Sequence, residues 1–165
     1  MKVCFFIPRF ACGGAERVMC TLALRLCAEK TCDVEMLVNR NDGELKDFID
    51  GKISVKSLGA KRLWRGLIPL IRHLRDKKPD VLIATLPGPI LLSFLAIKIA
   101  RLRTGFVARQ ANMIGSIYSQ EESSYSLIKQ LGDALFPLPL SGADAVCCSA
   151  SPPGNTTSPS SILMI

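Results

Sequence analysis

Short apolar runs alternate along the chain with longer segments in which apolar residues recur at helical spacing. The runs predict strands over residues 2–7, 33–39, 53–58, 81–85, 106–108 and 143–148. The periodic segments predict helices over residues 14–29, from near Pro69 to 78, over 90–103 and over 127–136, and residues 110–126 look like a polar loop. Strands that alternate with helices form a parallel sheet that has helices on both faces. The pattern therefore predicts a single α/β domain.

The C-terminal segment differs in composition from the rest of the chain. Residues 149–165 read "SASPPGNTTSPSSILMI", which is dense in Ser, Pro and Thr and has no periodicity. This composition is typical of a disordered terminus. A frameshifted or truncated reading frame is an alternative, because the composition changes abruptly after a strand that should lead into another helix. We therefore divide the chain into a domain over 1–149 and a disordered or frameshifted tail over 150–165.

Composition and charge narrow the class of protein. The apolar fraction of 48% argues against global disorder. The longest apolar stretch, residues 87–100, is short for a membrane span and contains Lys98. The N-terminus lacks the long apolar run of a secretory signal, so we expect a cytoplasmic protein. The net charge of +7 indicates an acidic partner, and the scarcity of Trp and Tyr argues against nucleic acid.

The cysteines and the single histidine give little support for a metal site. The 7 cysteines form no C-x-x-C pair, and several lie in apolar segments where they act as small hydrophobic residues. His73 has no ligand spacing around it, and we expect a surface or half-packed residue. Glu121 and Glu122 are adjacent, so they cannot flank a glycosidic bond from opposite sides. We expect neither a metal nor a cofactor.

Two glycines join the first predicted strand to the first predicted helix in "FFIPRFACGGAERVM". A P-loop is excluded because no Lys-Ser/Thr pair follows Gly14. A dinucleotide fold is disfavoured, because the third glycine is missing and the second strand ends in Asn39-Arg40 rather than in an acidic residue. Two alternatives stay open. The glycines form a plain turn, or they form a loop whose free amides at a helix N-terminus favour a phosphate group.

The stretch "PRFACGGAERVMCTLALRL" resembles the start of the retaining family-4 glycosyltransferases, which have the GT-B fold. "KPDVLIATLPG", "VARQAN" and "ADAVCCS" resemble further segments of that family, in the same order. The resemblance covers about residues 1–149 and implies the Rossmann-like N-terminal domain on the acceptor side of a GT-B enzyme. It implies transfer of a sugar from a nucleotide-sugar to a glycan or lipid-linked glycan, as in polysaccharide biosynthesis, with retention and without a bound metal.

The resemblance also implies roles for individual residues. The donor diphosphate loop would contain Gly13, Gly14 and Arg17, and Arg109 and Asn112 would line the acceptor side. Glu16 would cap the first turn of the helix. Many relatives have a His in the loop where this chain has Gln110, Ala111 and Asn112. The family's Glu-x7-Glu motif belongs to the C-terminal domain and is absent here, so we expect the chain by itself to be inactive.

A basic and apolar segment, residues 61–78, has two interpretations. The simple one is a solvated helix face whose apolar side packs inward. The other is docking on an anionic membrane surface through Arg62, Trp64, Arg65, Arg72 and Arg75. The resemblance favours docking, because many relatives extend lipid-linked glycans at the inner face of the membrane.

Three hypotheses of function follow. The first is a family-4-like glycosyltransferase, present as an incomplete chain without its donor-binding domain. The second is a non-catalytic module that binds an acceptor or docks on a membrane and needs a partner subunit. The third, which has the least support, is an NADP-binding oxidoreductase.

Overall fold

Residues 1–110 and 145–148 are described by the computed structural model and form one parallel sheet with helices packed on both faces. The strands are β1 Lys2–Ile7, β2 Asp33–Val38, β3 Ser54–Ser57, β4 Val81–Thr85, β5 Gly105–Gln110 and β6 Ala145–Cys148. The helices are α1 Gly14–Ala28, α2 Lys46–Ile49, α3 Leu67–Lys77 and α4 Pro87–Ala100, and a 3₁₀ turn, Leu63–Gly66, precedes α3. The predicted α/β class with a single Rossmann-like sheet is confirmed.

The strand order is β3-β2-β1-β4-β5-β6, and all neighbouring strands are parallel. In register, Phe5 of β1 lies opposite Met36 of β2 and Ile83 of β4. From β1 the chain adds β2 and then β3 on one side of the sheet. It then crosses to the other side of β1 and adds β4, β5 and β6. Ligands of such sheets bind at this reversal, beyond the carboxyl ends of the two strands. The fold therefore directs attention to the segments that follow β1 and β4.

Two apolar clusters, one on each face of the sheet, form the core. Because side chains alternate along a strand, Phe5 and Phe6 of β1 point to opposite faces. Phe5 belongs to the cluster beneath α1, together with Met19. Phe6 belongs to the cluster beneath α3 and α4, together with Leu70. A strand that is covered on both faces is continuously apolar, which explains why β1 is buried from its second residue to its last.

The helix boundaries differ from the predicted ones where prolines lie near a helix start. Helix α3 begins at Leu67, so Pro69 lies in its first turn, where the missing N–H costs little. Helix α4 begins at Pro87, three residues before the predicted start, and ends at Ala100 because Arg101 adopts a left-handed conformation with φ of 53°. Helix α2 was not predicted. The predicted helix over 127–136 and the tail lie outside the described residues.

The loop that follows β1 is fastened to the loop that follows β2. The Phe10 amide donates to the Asp42 carbonyl at 2.9 Å, and the Leu45 amide donates to the Phe10 carbonyl at 3.0 Å. The Phe10 side chain is fully buried. Gly43 has φ of +122°, and a Cβ at this position would overlap the Phe10 carbonyl oxygen. The path of residues 8–13 is therefore fixed by backbone contacts before the chain reaches α1.

We expect Gly43→Ala to lower the free energy of unfolding by about 1–3 kcal/mol, because the side chain is strained at this φ and overlaps Phe10. Urea denaturation measures the change. Gly14→Ala is the matched control, since a Cβ there meets nothing within 4 Å. Equal stability of the two variants would show that the contact between the loops is not as described.

Candidate functional site

The carboxyl edge of the sheet carries the predicted diphosphate loop and Arg109. Gly13 and Gly14 follow β1 at the start of α1, and Arg109 lies near the end of β5. Strand β4 lies between β1 and β5, so the ends of β1 and β5 are about 10 Å apart across the sheet. The hydroxyl of Thr85 at the end of β4 donates to the Arg109 carbonyl at 3.2 Å and ties β4 to β5. Asn112 lies outside the described residues.

The N-terminus of α1 presents unsatisfied backbone amides. Gly13 is the N-cap and has an extended backbone. The first hydrogen bond of the helix runs from the Arg17 amide to the Gly13 carbonyl, at 2.9 Å. The amides of the first three helical residues, Gly14, Ala15 and Glu16, therefore have no acceptor within α1. Because the N-cap residue is a glycine, it has no side chain that could accept a hydrogen bond from these amides. Free amides and the positive end of the helix dipole favour an anion at this position.

The two glycines have different surroundings. A Cβ at position 13 would overlap Oε2 of Glu16, whose residue is only 8% exposed. Gly13 therefore makes room for a carboxylate that folds back over the first turn, where a negative charge is favourable. A Cβ at position 14 would meet nothing within 4 Å, and Gly14 itself is exposed. A ligand can thus approach the free amides from the side of Gly14.

Two arginines lie in or beside this loop, and a third lies in the neighbouring loop that follows β2. Arg9 lies in the loop, Arg17 lies in the second turn of α1, and both are exposed. Neither forms an ion pair with another residue of the described part of the chain. Arg40, which follows β2, pairs with Asp42. Arg9 and Arg17 are therefore available to balance a second anion beside the Glu16 carboxylate.

A second helix N-terminus faces the reversal point but is less suited to an anion. The first three residues of α4 are Pro87, Gly88 and Pro89, and the prolines have no N–H to donate. Only the Gly88 amide is therefore free in that turn. Leu86, the N-cap of α4, has φ of 71° and ψ of 147°, which is rare for a residue with a side chain. Of the two helix N-termini, α1 is the better anion site.

The end of β2 does not provide a ribose site of the dinucleotide-binding kind. Asn39 is 4% exposed, and its side-chain nitrogen donates to the Ala60 carbonyl at 2.8 Å. The Ala60 amide returns a hydrogen bond to the Asn39 carbonyl at 3.2 Å. The side chain is thus used to hold the segment that follows β3, which weakens the oxidoreductase hypothesis.

His73 has a structural partner that the sequence did not reveal. Its Nε2 forms a hydrogen bond with Oε2 of Glu35 at 2.9 Å, and its side chain is 9% exposed. This pair joins α3 to β2, and Glu35 lies in the amino-terminal half of that strand, away from the carboxyl edge. The two residues are 38 positions apart, so no local pattern predicts the contact. In the residues that the structure describes, no cluster of three or more His, Cys, Asp or Glu could hold a metal ion.

The predicted membrane-docking residues all lie at the surface of one region. Arg62, Trp64, Arg65, Arg72 and Arg75 are exposed. Trp64 is 43% exposed and Ile68 is 62% exposed. Positions 68, 72 and 75 share one face of α3, while Leu70 and Leu74 are fully buried on the opposite face. We call the exposed set, with Ile68, the α3 surface. No helix in the described ranges is long and apolar enough to cross a membrane.

Comparison with known families identifies the family to which the chain belongs. The family model described as Glycosyltransferase Family 4 matches residues 12–148. Because the match covers most of the chain, the chain belongs to this family. The predicted resemblance to an N-terminal family-4 GT-B domain is confirmed. No curated protein matches the sequence significantly.

Solved structures share the fold at low identity. HepE of Anabaena in complex with UDP-glucose is 15% identical with a TM-score of 0.66, over 88% of this chain and 36% of HepE. MurG of Acinetobacter baumannii is 14% identical with a TM-score of 0.58, over 91% of this chain and 42% of MurG. A short-chain dehydrogenase/reductase of Veillonella parvula in complex with NADP is 11% identical with a TM-score of 0.50, over 89% and 67%. The chain thus spans less than half the length of HepE or MurG.

The thiol of Cys20, which lies in α1 four residues after Glu16, makes the stability of the chain depend on pH. Burial, and secondarily the Glu16 carboxylate, raise its pKa from 9.0 to about 11. Between these values the folded chain binds more protons than the unfolded chain, so stability is full below pH 9 and falls as the pH rises towards 11. One such thiol contributes a slope of up to about 1.4 kcal/mol per pH unit. Burial also raises the pKa of Cys4, with a smaller effect of Glu35.

We therefore expect Cys20→Ala to have a shallower loss of stability between pH 9 and 11 than the unsubstituted chain. Urea denaturation at a series of pH values measures the slope. Cys12→Ala is the control, because Cys12 is exposed and its removal should leave the slope unchanged. The same slope in all three proteins would contradict the assignment.

Proposed function

We propose that the chain is the acceptor-side domain of a retaining, nucleotide-sugar-dependent glycosyltransferase and that residues 8–17 hold the donor diphosphate. The observation that carries this proposal is the open approach to the free amides beside Gly14, next to the reversal point of the sheet. Membership of Glycosyltransferase Family 4 supports it, as does the similar fold of HepE, which was solved with UDP-glucose. Sugar transfer by the whole protein is likewise a proposal.

The chemistry assigned to this loop is electrostatic. When the sugar leaves its donor, negative charge builds up on the diphosphate. The amides of Gly14 and Ala15 point at that charge without having to reorganise, and Arg17 is close enough along the helix to add a mobile positive charge. Glu16 stays folded over Gly13, which keeps its carboxylate off the open side. In this proposal no metal is needed, and the remaining donor contacts belong to a second domain.

The acceptor would lie across β4 from the diphosphate loop. Arg109 is partly buried near the end of β5, about 10 Å from the end of β1. We propose that Arg109, together with Asn112, contacts a glycan or lipid-linked glycan acceptor, as in polysaccharide biosynthesis.

We also propose that the α3 surface docks the protein on an anionic membrane, at the inner face, in the cytoplasm. The specific observation is the exposure of Trp64, in the 3₁₀ turn, and of Ile68, on α3, among arginines, while Leu70 and Leu74 fill the buried face of α3. Exposed tryptophan and arginine are the residues that partition to a lipid interface. A non-catalytic module that needs a partner subunit would use the same surface. Transfer activity that appears only after a second protein is added would favour that alternative.

Nucleotide binding tests the diphosphate loop. We expect weak, saturable binding of UDP or GDP and none of NADPH. Gly14→Val would place a branched side chain in the open space and weaken nucleotide binding at least tenfold, or about 1.4 kcal/mol. Isothermal titration calorimetry measures the affinities. Ala28→Val, at the other end of α1, is the matched control. Binding of NADPH, or equal UDP affinity of both variants, would refute the assignment.

Vesicle binding tests the α3 surface. Arg72→Gln/Arg75→Gln should weaken binding to vesicles that contain phosphatidylglycerol by about 1 kcal/mol for each cation removed. Co-sedimentation measures bound protein. Arg25→Gln/Lys30→Gln removes the same charge from the end of α1, on the other face of the sheet, and should have little effect. If both pairs weaken binding equally, only net charge matters and the α3 surface is not a docking site.

A further inference from the structure

A separate cavity of about 600 Å³ lies at the opposite, amino-terminal edge of the sheet. It is formed between the end of α4 and the start of β5. Its apolar lining includes Phe94, Ile97 and Leu102. Neither the diphosphate loop nor the α3 surface contributes to it. The cavity therefore has no role in the proposed transfer and calls for its own explanation.

The cavity has a fixed wall because the chain between α4 and β5 is held by hydrogen bonds. The Leu102 amide donates to the Ile97 carbonyl at 3.3 Å, which turns the chain back at the end of α4. The Thr104 hydroxyl donates to the Pro79 carbonyl at 3.0 Å, and the Gly105 amide donates to the Asp80 carbonyl at 2.8 Å. The wall is thus anchored both to α4 and to the segment that enters β4.

The rim of the cavity is strongly positive. It carries Lys98, Arg101 and Arg103, and no carboxylate lines it in the part of the chain that the structure describes. None of the three cations forms an ion pair with a residue in the described ranges. Lys98 lies in the last turn of α4 with its Nζ 5.5 Å from the centre of the Phe94 ring, so the helix dipole and the ring account for it. Arg101 and Arg103 lie beyond the helix and have no such explanation.

We propose that this cavity binds one anionic lipid. Arg101 and Arg103 contact the phosphate of the headgroup, and Phe94, Ile97 and Leu102 contact the first methylenes of the chain. A soluble phosphate would gain nothing from the apolar lining, and an uncharged apolar ligand would gain nothing from the arginines. Helix α3 packs beside α4 and ends at the same edge with Arg75, Lys77 and Lys78, so a lipid surface would meet further cations there.

A monomeric lipid separates this site from general attraction to a membrane. Dihexanoylphosphatidylglycerol, used below its micelle concentration, should bind the full chain at one molecule per protein in calorimetry. Arg101→Gln/Arg103→Gln should weaken this binding at least tenfold. Arg25→Gln/Lys30→Gln removes the same charge from the end of α1, on the other face of the sheet, and should change it less than twofold. Equal losses in the two variants would overturn the proposal.

Two further measurements test whether the apolar lining of the cavity contributes to lipid binding. Ile97→Trp fills the cavity without changing charge and should also weaken lipid binding at least tenfold, with circular dichroism confirming that the variant is folded. Glycerol phosphate supplies the same phosphate chemistry without a chain and should bind at least tenfold more weakly than the lipid. Equal affinity for glycerol phosphate, or unchanged lipid binding by Ile97→Trp, would contradict a lipid site. Because UDP binding is measured separately, either result leaves the proposed function untouched.

Discussion

Burial of β1 on both faces is the constraint on which the rest of the structure depends. The strand lies between β2 and β4 at the centre of the sheet, and its residues alternate between the two apolar clusters. One helical layer covers each face, and the chain changes layer when it crosses from β3 through α3 to β4. Because of that crossing, the segments that leave β1 and β4 diverge. The opening between them is where the chain can bring backbone amides to a ligand.

The two helices that begin at this opening differ in what they can bind. Helix α1 starts with Gly-Gly-Ala and has free amides, while α4 starts with two prolines and has one. The buried Glu16 does not close the α1 site, because Gly13 lets the carboxylate fold to one side and Gly14 leaves the other side open. The backbone contacts between Phe10 and residues 42–45 hold the loop in place before a ligand arrives. The donor site we propose is therefore preorganised by the packing of its own domain.

Sequence patterns predicted the parts of the fold that depend on local chemistry. β1 and β4 were predicted with their observed bounds, because both are short apolar runs that end at a proline or glycine signal. The start of α4 was missed, because "LPGP" contains residues that usually interrupt a helix but are tolerated in its first turn. The Gly-Gly loop was found from its residues, but the contrast between Gly13 and Gly14 was not, since it depends on where Glu16 folds. The pairing of His73 with Glu35 and of Asn39 with Ala60 joins distant segments, and no local pattern reports such contacts.

The central claim is that a nucleotide diphosphate meets the backbone at the start of α1. The most direct test is a titration of the chain, labelled with ¹⁵N at its 12 glycines, with UDP and with uridine, followed by amide chemical shifts. We predict that the amides of Gly13 and Gly14 shift saturably with UDP but not with uridine, while Gly51 and Gly59, which lie in other loops, do not move. Shifts confined to other glycines, or identical shifts with uridine, would show that the diphosphate does not bind this loop.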